Sequence, residues 1–137
     1  HTRGHFFRAF MEGVAYALYY SYSTLMQTGL QPTYPLIFNE GGSQSEVWRR
    51  IITDMLGIPT ARLCGVGGAP LGDAILAGVG VGVFPDFSVA RQWARYDDHL
   101  EPIDSNHARY LEYFAVYKGL YDDLRTRFQE LHGLVVS

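Results

Sequence analysis

The segment from Leu36 to Cys64 constrains the fold more than any other part of the chain. A short apolar run, "LIF", stops at "NEGGSQSEVW", and Val47, Ile51, Ile52, Met55 and Leu56 then recur at helical spacing until Gly57 and Pro59 end the pattern. Thr60 to Cys64 reads as a second strand. Strand, turn, helix, strand in that order predicts two parallel strands joined by a right-handed crossover helix, which is the basic α/β unit. The following "GVGGAPLGDAILAGVGVG" predicts a further helix from about Pro70 to Val79.

The flanks are helical. Phe7, Phe10, Val14, Leu18 and Leu25 mark a long first helix that stops at "QTGLQPTYP", where Gly29, Pro32 and Pro35 intervene. After Phe84 come a short helix near Ser88 to Ala94, an acidic loop "YDDHLEPID" and a long helix starting at Ser105 or Asn106. On that helix Tyr110, Phe114, Tyr117, Tyr121, Leu124, Phe128 and Leu131 keep a four-three spacing. Such a seam fits a coiled coil, but its aromatic content favours packing within the chain.

At 137 residues, 47% hydrophobic and 18% charged, with no low-complexity linker, the chain fits one globular domain. Two strands are few for an ordinary sheet. The net charge of -3 and the single lysine, Lys118, leave no basic stripe for nucleic acid or anionic lipid. The most apolar stretch, Ala74 to Phe84, is shorter than the roughly 20 residues of a membrane span, so no membrane partner is expected. One cysteine, Cys64, permits no intrachain disulfide, and a cytoplasmic setting is expected. The opening "HTRGHFF" has neither an initiator Met nor a signal pattern, and reads as the back portion of a longer protein.

In "NEGGSQSEVW" the glycines Gly41 and Gly42, tolerant of positive φ, permit a sharp turn that a flat ligand can approach closely. Ser43 with Glu46 has the spacing of a capping box, and Ser45 is an alternative cap one step later. Either way the helix start presents N–H groups suited to the hydroxyls or phosphates of a nucleotide, or simply a well-capped helix. Rival motifs fail. Lys118 follows Tyr117 rather than glycine, which excludes a P-loop, and Pro70 stands in place of the third glycine of a dinucleotide fingerprint in "GVGGAP". His1 and His5 are one turn apart without a third metal ligand, and His99, His107 and His132 are scattered. Cys64 reads as core, and Asp54 and Asp73 as solvated or capping residues on helices. No catalytic residue and no metal ligand is expected in this chain.

Four segments in order resemble the C-terminal part of the FGGY carbohydrate kinases, most like the xylulokinase branch. "HTRGHFFRAFMEGVAYAL" is similar to that family's helix with His-Thr-Arg, Arg-Ala and Glu-Gly-x-Ala, matched here by His1, Thr2, Arg3, Arg8, Ala9, Glu12, Gly13 and Ala15. "EGGSQSEVWRRIITDMLGIP" resembles the adenosine-binding turn and its helix, "GAPLGDAILAGVGVGVF" the family's glycine-alanine helix, and "EPIDSNHARYLEYFAVYKGLYDDL" a xylulokinase-type ending. Glu40, Pro70 and Asp73 depart from the usual residues, the last two on the phosphate side.

The resemblance implies that residues 1–137 are the nucleotide side of a helix-rich, partial ribonuclease-H-like, actin-like ATPase domain, with two parallel strands, crossover helices and a long C-terminal helix. It implies that Gly41, Gly42, Ser43, Gln44 and Ser45 border the adenine and ribose of ATP, with Trp48 behind them. The implied reaction is phosphorylation of a sugar hydroxyl by ATP with Mg²⁺. Sugar, catalytic aspartate, phosphate-binding hairpin and three further strands would lie before His1, leaving this chain inactive alone. Its uncovered strand edge and apolar faces would favour a homodimer. The alternatives are a non-catalytic nucleotide-binding or regulatory member of the same superfamily, and a helical interaction module using the aromatic seam.

Overall fold

The computed structural model describes residues 1–39, 41–64 and 68–136, with side chains described through 134. In chain order the elements are α1 (Arg3–Gln27), β1 (Leu36–Phe38), a 3₁₀ turn (Gly41–Gln44), α2 (Glu46–Leu56), β2 (Thr60–Cys64), α3 (Ala69–Gly80), α4 (Val89–Trp93), β3 (Arg95–Leu100) and α5 (Asp104–Val136). β1 and β2 are parallel, with Leu36 opposite Thr60 and Phe38 opposite Arg62. The strand–helix–strand unit therefore forms as its hydrophobic pattern requires.

The sheet has a third strand where an acidic loop was expected. β3 runs antiparallel to β2, placing Asp97 opposite Arg62 and Leu100 opposite Thr60, with a bulge between those two pairs. Aspartates disfavour strands locally, and here a long-range partner overrides that preference. Arg62 donates from Nε to Asp97 Oδ1 and from Nη2 to Oδ2, both at 2.8 Å. That guanidinium also holds the Asp97 carboxyl below the ordinary carboxylate range.

α1 and α2 have identifiable caps. Thr2 and His5 form a reciprocal capping box at the head of α1. Ser45 caps α2, and Gly57 ends it in the left-handed conformation, φ 68°. Gly57 is also required sterically, because a Cβ there would stand 2.6 Å from the His107 ring.

The core is small and lies where α2 meets α1 and α5. Ala15, Tyr16, Ile51, Ile52, Met55 and Tyr110 are buried in it. The Tyr16 ring lies 5.4 Å from that of Tyr117, and the Tyr19 ring 4.8 Å from that of Phe114, so the first half of the aromatic seam packs within the chain. The second half does not: Tyr121, Leu124, Phe128 and Leu131 are exposed. The stripe Phe7, Phe10, Val14, Leu18 and Leu25 on α1 is exposed as well, the helix packing instead through Met11, Ala15, Tyr16 and Tyr19.

Polar groups lock the helices together. Arg8 Nη2 donates to Tyr110 Oη at 2.6 Å, and Tyr110 Oη donates to Glu12 Oε1 at 3.0 Å, so Arg8 and Glu12 of the first family-like segment hold α5. Asp54, 2% exposed, is not the solvated residue its helical position allowed. Its Oδ1 accepts from Ile103 N at 2.9 Å and Arg50 Nη1 at 3.2 Å, and its Oδ2 from Asn106 Nδ2 at 2.8 Å. It caps the start of α5 from a neighbouring helix. His107 Nδ1, 3.0 Å from the Asp54 carbonyl, must carry the proton, since a carbonyl only accepts.

Asp54→Ala removes the acceptor shared by three part-buried donors and is expected to cost about 2 kcal/mol of stability in urea unfolding. A loss under about 1 kcal/mol would contradict this role for Asp54.

Candidate functional site

β1 ends at Phe38, which packs against the core, and the chain then makes one 3₁₀ turn over Gly41–Gln44 before α2 starts. Ser45 is the cap: its backbone is extended, and its hydroxyl accepts from Trp48 N at 3.2 Å. The Ser43–Glu46 alternative is thereby settled in favour of Ser45. Gly42 does not adopt a positive φ, contrary to the reason its sequence offered for a sharp turn. The turn is tight because a 3₁₀ segment closes i to i+3. The lack of a side chain leaves the surface of the turn bare. A Cβ on Gly41 would meet nothing within 4 Å, and one on Gly42 would rest 3.4 Å from the Trp48 indole nitrogen.

The five residues expected to border a nucleotide divide by burial. Gly41, Gly42, Gln44 and Ser45 are exposed, whereas Ser43 between them is buried. Trp48 is half-buried and joins the turn to the core. The Ser45 hydroxyl is engaged by the cap, which leaves the glycine backbone and the Gln44 side chain as the groups facing outward.

Two residues that sequence reasoning passed over secure this turn. Arg49, 4% exposed, donates through its guanidinium to the Ser43 carbonyl and to the Asp98 carboxylate. Asp98 has φ 49° beside the β3 bulge, a left-handed conformation that Asp tolerates better than most residues. The signal for Arg49 was its place one turn before Ile52 and Thr53 on an inward face, where a charge demands a partner. Asp98, nearly fifty residues away, carried no comparable signal.

The remaining candidates separate from the turn. His5 is occupied by its capping box, with Thr2 N donating to His5 Nδ1 at 3.0 Å. His99 and His132 are exposed, and Cys64 is half-buried at the end of β2. α3 starts after Gly68, which has φ 77°, with Pro70 in its first turn, and the Gly65–Gly67 part of "GVGGAP" lies outside the described residues, as does Glu40. Among the described residues no three His, Cys, Asp or Glu side chains converge to hold a metal. None of their helices is long and apolar enough to cross a membrane. A groove of about 700 Å³ between α1 and α5 is lined by Tyr20, Tyr117, Tyr121, Leu124 and Phe128, is mostly apolar, and includes none of the turn residues.

Known proteins resemble this chain in sequence and in fold. The model of the FGGY family of carbohydrate kinases, C-terminal domain, matches residues 1–81. The xylulose kinase of Staphylococcus epidermidis is 32% identical over 122 residues, covering 88% of this chain and 24% of that protein. An uncharacterised sugar kinase of Escherichia coli is 34% identical over 136 residues, covering 93% of this chain and 27% of that protein. The crystal structure of xylulose kinase from Rhodospirillum rubrum matches with a TM-score of 0.77 at 28% identity, over 94% of this chain and 26% of that one. The chain spans about a quarter of the length of these relatives.

Proposed function

Since the chain belongs to the FGGY family of carbohydrate kinases, we propose that it is the nucleotide side of an enzyme that transfers the γ-phosphoryl group of ATP to a sugar hydroxyl. The observation that carries this reading is the bare, exposed turn at Gly41–Gln44, fastened from beneath at Ser43 and placed at the start of a capped helix. Backbone at Gly41 and Gly42 gives a flat base close approach, and Gln44 offers both donor and acceptor to a ribose or adenine edge. Residues Gly41 to Ser45 thus border the adenosine, with Ser43 acting through its carbonyl anchor rather than through its buried side chain.

Phosphoryl transfer depends on positioning and on stabilising charge in the transition state. This chain contributes positioning of the nucleotide. The base that activates the sugar hydroxyl, and the sugar pocket itself, belong to other parts of the protein in this proposal. Mg²⁺ is implied by the family. The described residues present no ligand cluster that fits it, and no role is assigned to them in holding it. Two of the relatives described above are named as xylulose kinases, which favours a pentulose as substrate. The proposed setting is cytoplasmic.

A second reading has its own support. Phe7, Phe10 and Val14 on α1, and Leu124, Phe128 and Leu131 on α5, are all exposed, and apolar helix faces left open in this way mark interaction surfaces. The chain by itself is therefore expected to form a homodimer, and, because the proposal puts the sugar pocket and the base in other parts of the protein, to give no sugar-dependent ADP release. Light scattering that finds a stable monomer at micromolar concentration would contradict the first expectation, and reproducible turnover on pentuloses, hexoses or glycerol the second.

Gly41 gives the most direct test of the site, because open space surrounds its Cβ position. In the intact kinase, Gly41→Val is expected to raise the ATP KM about tenfold and leave the sugar KM unchanged. Folded enzyme with an unaltered ATP KM would refute the assignment.

A further inference from the structure

A 3₁₀ turn is weakly held by its own hydrogen bonds, and the turn at Gly41–Gln44 is exposed at three of its four residues. Its inward carbonyl, at Ser43, accepts from a buried guanidinium, Arg49, which is itself neutralised by Asp98 on β3. A guanidinium at this depth is stable only while its charge is matched, and its Nε already lacks a partner among the described residues. Asp98 reaches it from a left-handed position next to a bulge, while the preceding Asp97 pairs with Arg62 within the sheet. Two adjacent carboxylates thus serve different guanidinium groups, and the one with the left-handed backbone serves the turn.

We infer that Arg49 and Asp98 are positioning residues that set the nucleotide-facing shape of the Gly41–Gln44 turn, so that the adenosine affinity of the site is governed from the sheet edge at β3. This rests on the reading of the turn as the adenosine site. The chain of contacts is short: the Asp98 carboxylate orients the Arg49 guanidinium, the guanidinium fixes the Ser43 carbonyl inward, and the flanking glycine backbone is thereby held outward. Arg49 also lies on the helix that Ser45 caps, and its N–H donates to the Ser45 carbonyl at 3.0 Å, so one residue fixes both the turn and the first turn of α2. Neither residue touches the reacting atoms. Their effect is on nucleotide binding, not on the sugar.

Asp98→Asn and Asp98→Gly both accept the left-handed backbone while removing the negative charge. In the intact kinase each is expected to raise the ATP KM about tenfold, the equivalent of one charge-assisted hydrogen bond, with the sugar KM unchanged. Asp98→Asn added to Arg49→Gln is expected to cause no further rise, because the two residues act as one unit. Arg49→Lys, which keeps the charge, is expected to recover part of the affinity that Arg49→Gln loses. An unaltered ATP KM in the folded Asp98 variants overturns the inference, as does an equal rise in both KM values, which marks a general loss of structure. If Gly41→Val raises the ATP KM while the Asp98 variants do not, positioning by Arg49 and Asp98 is wrong and the site stands. If Gly41→Val is also silent, the site reading falls and this inference with it.

Discussion

A buried carboxylate at Asp54 is the constraint on which the rest of the structure depends. In water it would be solvated at little cost, but inside it must find donors, and it finds them in Arg50, in the Ile103 backbone and in Asn106. The last two lie at the start of α5, so satisfying one side chain fixes where a 33-residue helix begins and which way it runs. His107 and Gly57 complete the joint, the ring donating to the Asp54 carbonyl and filling the space that a Cβ on Gly57 would take. Once α5 is set, Tyr110 meets Arg8 and Glu12, and Phe114 and Tyr117 meet Tyr16 and Tyr19.

α2 is therefore a strut with a polar fastening at each end. Its C-terminal end holds α5 through Asp54, and its N-terminal end holds the Gly41–Gln44 turn and β3 through Arg49. Between them Ile51, Ile52 and Met55 fill the core, and Thr53 Oγ1 pairs with Thr60 Oγ1 at 2.6 Å to tie the strut to β2. The apolar core alone is small for a chain of this length, and exposed apolar residues on α1 and α5 are correspondingly numerous.

What the sequence made legible was what local pattern and spacing determine. β1, α2 and β2 follow from apolar runs and from the stop at Gly57 and Pro59, and their parallel pairing follows from order alone. β3 was hidden because Asp97 and Asp98 oppose a strand unless Arg62 and Arg49 are present, and those partners are distant in sequence. The exposed turn was legible in its glycines, although the reason assigned to them was not: Gly42 adopts no positive φ. The α1 stripe and the tail of the α5 seam show the limit of periodicity, which identifies a helix and its apolar face without saying whether that face is covered.

The account turns on whether the Gly41–Gln44 turn and the α2 N-terminus receive the nucleotide. Amide hydrogen exchange on the intact protein, with and without a non-hydrolysable ATP analogue and separately with sugar, addresses this most directly. The account predicts that the analogue slows exchange at the amides of Gly42 to Trp48 and that sugar alone does not. Unchanged exchange across those amides, with protection by the analogue confined to other segments, would contradict it.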